Sequence, residues 1–266
     1  MSEYDTILVE LIKKGMSIQR KVMNNIPFKW RNFQLESGTI FNWQIQQIVN
    51  ISDELKFIKF LTALAVRCGE LLNINAIANE VETSADTIKR WLSILQTSGI
   101  IFLLEPYSNN ILKRVVKTPK IYFYDSGLVC YLARWTSPDT ARTGAQAGNI
   151  FENFVVSEIL KSHLNAGKTI SSIYYYRDRD QREIDVVIEE DGKLYPIEVK
   201  MTGNPTKAMG KHFSVLDNIP GKTRQPGIIL CQYDKKLYLK EDMIALPINY
   251  IWMNMPSLIW FVYWLF

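Results

Sequence analysis

The segment EIDVVIEEDGKLYPIEVK, residues 183–200, constrains the fold more than any other part of the chain. Asp191-Gly192 is a dipeptide favoured in two-residue type I′ hairpin turns, where both central positions need positive φ. β-branched and aromatic residues flank it, which predicts strand, tight turn, strand. With this loop Glu190 faces Lys193, and counting back sets Asp185 opposite Glu198 and Glu183 opposite Lys200. These four residues then share one sheet face, while Ile184, Val186, Ile188, Tyr195, Ile197 and Val199 share the other and supply core. Pro196 lacks a ladder donor and favours an edge position or a shifted pairing.

Two carboxylates directly across a ladder repel unless a positive group lies between them. One reading supplies a divalent cation, Mg²⁺ or Mn²⁺, held by Asp185 and Glu198 with the Val199 carbonyl as a third ligand. Lys200, on the same face, would then orient water or stabilise charge developing on a phosphate. The other reading is a solvated hairpin face with Glu183 and Lys200 as a cross-strand ion pair. Upstream, GNIFENFVVSEILKSHL reads as a helix. Glu152 lies there on a stripe with Val155, Val156 and Ile159, in competition with a stripe through Phe151, Phe154 and Val155.

The N-terminal half shows a different pattern. In residues 51–67 Ile58, Leu61, Leu64 and Ala65 recur at helical spacing. Two helices follow, split by a turn at Glu82 to Ser84, with Thr83 and Asp86 in the positions of a hydroxyl cap and its acid. Ile88, Trp91, Leu92 and Leu95 form the buried stripe of the second, and Thr87, Lys89, Arg90 and Ser93 its polar face. Helix, short turn and polar second helix is the layout of helix-turn-helix DNA readers, and equally of an ordinary helical pair. The strands GIIFLLEPY and PKIYFYD follow, joined by SNNILKRVVKT, which together make a winged helix-turn-helix. Lys113, Arg114, Lys117 and Lys120 suit phosphate contact by the wing, although winged helices also bind proteins.

Asp185, a hairpin and Glu198-x-Lys200, preceded by a helix carrying Glu152, resemble the restriction-endonuclease-like fold and its PD-(D/E)XK signature. Ile184 stands where that signature has proline. Over residues 45–250 the chain is similar to the C-terminal region of a group of bacterial and archaeal AAA-type ATPases, in which a winged helix precedes a nuclease-like domain. The resemblance implies Glu152, Asp185, Glu198 and Lys200 as core site residues, with Arg177 and Glu183 as accessory neighbours. It also implies DNA, an ATPase or a second copy of the chain as partner. No P-loop is expected: the two GKT triplets, at Gly167 and Gly221, have Ser162 and Leu216 where the motif needs glycine. ATP hydrolysis is therefore not expected of this chain.

These readings predict an α/β (α+β) protein in successive segments: an unassigned helical part (1–45), a winged helix-turn-helix (46–136), a linker (137–147), a nuclease-like mixed sheet flanked by helices (148–250) and an apolar tail (251–266). At 266 residues and 47% hydrophobic content the chain can bury such cores. A net charge of +4 is too small to argue for nucleic acid by itself. His163 and His212 are the only histidines, which disfavours a His/Cys zinc site or a Ser-His-Asp triad. Unpaired Cys68, Cys130 and Cys231, with no signal-peptide pattern, lead us to expect a reducing cytoplasm. The tail is interrupted by Asn254, Pro256 and Ser257 and falls short of the ~20 residues of a membrane span, so no membrane association is expected.

Overall fold

Helix α1 (Glu54–Ala65) forms where apolar residues return every three to four positions, but the stripe it buries is not the expected one. Phe57, Phe60, Leu61 and Leu64 are buried, whereas Ile58 is 41% exposed. The aromatic rings win because they reach Trp91, with centroids 5.2 Å from Phe57 and 5.3 Å from Phe60. The computed structural model describes residues 54–109 and 118–252. The 1–45 segment, Lys113, Arg114, Lys117 and all of the tail beyond Trp252 lie outside the described residues.

Helices α2 (Ile74–Val81) and α3 (Ala85–Thr97) flank the expected turn, with Glu82 in a left-handed conformation at φ 57°. The cap of α3 is Ser84 rather than Thr83: its hydroxyl accepts the Thr87 amide at 3.1 Å. Ile88, Trp91, Leu92 and Leu95 are buried as their spacing dictates. Strands β1 (Ile101–Leu104) and β2 (Lys120–Phe123) pair as a two-stranded sheet. Helix α4 (Ser126–Leu132) follows, with Asp125 accepting the Gly127 and Leu128 amides.

The stretch expected to be a linker is ordered structure. Residues Pro138–Thr143 form helix α5, because Ser137 and Thr140 close a reciprocal capping box and Pro138 fits the first helical turn. The second unit combines two separate stretches of the chain. The chain divides into Met1–Phe102 with Phe123–Ile150, and Leu103–Tyr122 with Phe151–Phe266.

In the second unit helix α6 (Ala147–Asn165) is buried on nearly every side, so the two competing stripes are both interior. Its buried polar pair, Glu158 and Lys161, is satisfied internally at 2.8 Å, and Trp252 donates to Glu158 at 2.8 Å. The sheet comprises β3 (Ile173–Arg177), β4 (Glu183–Glu190), β5 (Lys193–Lys200), β6 (Thr223–Arg224), β7 (Gly227–Cys231), β8 (Leu237–Lys240) and β9 (Met243–Pro247). Its order is β3-β4-β5-β7-β9-β8, with β6 also beside β5. β3, β4 and β5 are antiparallel, while β5, β7 and β9 run parallel. Residues 105–107 extend the edge: Tyr175 donates to the Glu105 carbonyl and Tyr107 to that of Tyr175.

The hairpin has the expected turn and register. Asp191 and Gly192 have φ 49° and 77°, Glu190 faces Lys193, and the ladder continues to Val186 opposite Ile197. Two expectations are corrected. The acidic face is not open along its length, since Val187 and Leu194 pack beneath Phe213 and Leu216. And Pro196 lies in a central strand. Leu194 turns its carbonyl to the β6 side, where it accepts the Gln225 amide, so Pro196 faces the same way two residues on. Its missing donor falls between β6, which pairs at Lys193 and Leu194, and β7, which pairs from Ile197.

Candidate functional site

Past Val186 and Ile197 the hairpin strands part, and the opening is filled by side chains. Asp185 accepts the Val199 backbone amide at 2.8 Å, a hydrogen bond that a continued ladder would have given to backbone. Glu198 lies beside it, and both residues are buried, at 6% and 4% exposure. The Lys200 ammonium spans the pair, 3.3 Å from Asp185 and 2.8 Å from Glu198.

The two carboxylates are driven apart electrostatically. Burial and the neighbouring Asp185 push Glu198 up to about 9, so it holds a proton at neutral pH. Burial alone would raise Asp185 too. Lys200, a hydrogen bond from Glu198, Lys120 and the Val199 amide together hold it below the usual carboxylate range. For Lys200, burial is outweighed by Asp185 and Glu198, which raise it and keep it charged.

A second group adjoins the first. Lys120, at the start of β2, is buried at 3% exposure and pairs with Glu152 at 3.2 Å and Glu183 at 2.6 Å. Tyr122, two residues along and therefore on the same strand face, donates to the same Glu152 oxygen at 2.7 Å. Burial and Asp185 raise the Glu152 carboxyl, and Lys120 and Tyr122 oppose that rise. Arg177 takes the other oxygen of Glu183 at 3.0 Å. With Glu198 protonated, Glu152, Glu183 and Asp185 are matched by Lys120, Lys200 and Arg177.

The folded chain thus brings together Glu152, Asp185, Glu198, Lys200, Arg177 and Glu183. It does not form the Glu183–Lys200 ion pair, because Arg177 lies opposite Glu183 on β3. Lys120 is no exposed wing residue. Its signal in the sequence was a lysine in the otherwise apolar strand KIYF, since lysine is rarely buried without partners. Tyr122 carried no signal in the sequence, and His212 none that tied it to this cluster; the His212 ring lies 3.3 Å from the Glu183 amide, brought there by a loop that no local pattern identifies. Among the described residues no group of three or more His, Cys, Asp or Glu side chains converges as a metal-ligand set.

On α3, Lys89, Arg90 and Ser93 are exposed, with Lys89 paired to Asp86 at 3.0 Å. Thr87 is half-buried, its hydroxyl bonded to that of Ser84 at 2.9 Å. The GKT triplets lie at turns, Thr223 of the second opening β6, and their lysines pair with β4 carboxylates, Lys168 with Glu190 and Lys222 with Glu189. Among the described residues no helix is long and apolar enough to cross a membrane.

Two family models match the chain, each over less than half of it. Residues 29–139 match a domain of unknown function (DUF8612), and residues 147–251 match another (DUF4143). The chain is also similar to two curated proteins, Uncharacterized protein Rv2008c of Mycobacterium tuberculosis and Uncharacterized protein Mb2031c of Mycobacterium bovis. Each is 28% identical over 198 residues, covering 71% of this chain and 41% of the relative. The chain therefore spans about two fifths of the length of these relatives. No solved structure matches it.

Proposed function

We propose that the second unit is a divalent-metal-dependent phosphodiesterase of the restriction-endonuclease-like class, acting on DNA. One observation carries this reading: Asp185 and Glu198 are buried side by side at the point where the hairpin opens, with Lys200 over both. Buried carboxylates this close both ionise only when a cation joins them. Mg²⁺ or Mn²⁺ would be held by Asp185, Glu198 and the Val199 carbonyl, which lies on the same strand edge as the Val199 amide. Two carboxylates and a carbonyl suit Mg²⁺, which keeps several waters and completes its shell with substrate phosphate. When bound, the ion would activate water and neutralise phosphate charge. Lys200 would donate to a phosphate oxygen as charge develops there, and Asp185 keeps its orientation through the Val199 amide.

The order of helix α6 and strands β3, β4, β5 and β7 supports the nuclease-like reading, as does the resemblance noted from the motifs. Helices α2 and α3 followed by the β1–β2 ladder support a winged helix, with Lys89, Arg90 and Ser93 available to backbone phosphates. An AAA-type ATPase or a second copy of the chain is the proposed protein partner.

The test is cleavage of plasmid, linear and branched DNA with Mg²⁺ or Mn²⁺. Wild type is expected to cut, and Asp185→Ala and Glu198→Ala to lose activity. Equal cleavage by all three, or none by any, removes the enzyme. A second reading, an inactive nuclease-fold module that binds DNA or a partner, is favoured by the absence of a three-side-chain ligand set among the described residues. It requires folded wild-type protein to bind no metal at millimolar concentration.

A further inference from the structure

We propose that Lys120 is a positioning residue of this centre, a built-in counter-ion for Glu152 and Glu183 that limits the site to one divalent ion at Asp185 and Glu198. This rests on the metal-dependent reading above. The carboxylates of the cluster divide into two pairs with different cations. Glu152 and Glu183 share the ammonium of Lys120, at 3.2 and 2.6 Å, and each is also held by a protein donor, Tyr122 on Glu152 and Arg177 on Glu183. Asp185 and Glu198 share Lys200 instead.

The two lysines differ in what can displace them. The Lys200 side chain is 38% exposed, so its flexible stem can carry the ammonium into solvent when an ion arrives. The Lys120 side chain is 4% exposed and belongs to a strand paired on β1, with its ammonium 5.7 Å from the Tyr175 ring centroid. An ion entering from solvent can replace Lys200 between its carboxylates, but Lys120 stays between Glu152 and Glu183. A second divalent ion would have to share Glu152 with a fixed ammonium, and like charges at that range repel strongly away from water.

The inference is tested by counting Mn²⁺ per folded chain through the loss of the free-ion electron paramagnetic resonance signal. Wild type is expected to bind one ion, Glu198→Ala none, and Glu152→Gln still one, because Glu152 is not a ligand. Lys120→Met, confirmed folded by circular dichroism, is expected to bind two, the second lost on adding Glu152→Gln. Lys120→Arg, which keeps the charge, should return the count to one. Two ions on wild type, none on Glu152→Gln, or one on folded Lys120→Met overturns the assignment. If Lys120→Met does not fold, the wild-type and Glu152→Gln counts decide the matter. A wild type that binds no Mn²⁺ at millimolar concentration removes the metal reading itself, a result distinct from two ions, which removes only the role of Lys120.

Discussion

Glu198→Gln is expected to stabilise the metal-free protein, increasingly so as pH rises. Glu198 has its ordinary value of 4.5 in the unfolded chain and about 9 in the folded one. Between those values the folded chain holds a proton that the unfolded chain has released, so stability falls as pH rises from 4.5 and levels off above 9. At about 1.4 kcal/mol per pH unit the cost is under about 1 kcal/mol at pH 5, on the order of 3 kcal/mol at pH 7 and on the order of 6 kcal/mol at pH 9. Glutamine does not titrate, yet its amide can still donate to Asp185, so the variant avoids this cost and keeps the contact. Urea unfolding in EDTA at pH 5, 7 and 9 should show a gap between variant and wild type that opens with pH. Saturating Mn²⁺ should narrow the gap, since an ion that binds only folded wild type adds about 2.7 kcal/mol at a hundred times its Kd. Parallel pH profiles, or a variant less stable than wild type at pH 9, would refute the reasoning. Asp185 has the opposite sign: its depressed value contributes stability above the ordinary 3.8 that is lost as pH falls through the folded value.

Gly227→Ala should destabilise the second unit by about 1–3 kcal/mol in urea, because a Cβ there would lie 2.2 Å from the Phe213 ring. Phe213→Leu in the same chain should recover part of the loss. Lys89→Ala and Arg90→Ala should each weaken DNA binding uniformly across sequences and lower the salt-dependence slope by about 1, without changing Mn²⁺ uptake. Unchanged slopes would remove helix α3 from the DNA interface.

Where an element depends on neighbours in the chain, sequence reasoning found it. Asp191-Gly192 forms its own turn, and a two-residue loop leaves one register, so Glu190 opposite Lys193 and the inward Val186 and Ile197 follow. The helical stripe through Ile88, Trp91, Leu92 and Leu95 was legible for the same reason. Errors arose where a local rule had close competitors. Ser84 and Thr83 are both hydroxyl caps, and only the path of the turn chose between them. In α1, periodicity admitted Ile58, but the rings of Phe57 and Phe60 had Trp91 to meet. The 137–147 stretch looked like a linker from its small residues, although Ser137 and Thr140 carry a capping box.

The candidate site divides along the same line. That Asp185 and Glu198 adjoin was settled within eighteen consecutive residues, by the turn and the two-residue alternation of strands. That Lys120 leaves a supposed wing to lie between Glu152 and Glu183, and that Arg177 rather than Lys200 takes Glu183, was decided only when β2, α6 and β3 packed beside the hairpin. Backbone hydrogen bonding and side-chain alternation act over a few residues and can be read along a chain. Charge pairing acts through space, and its partners become defined only when burial removes the water that would otherwise have served each group.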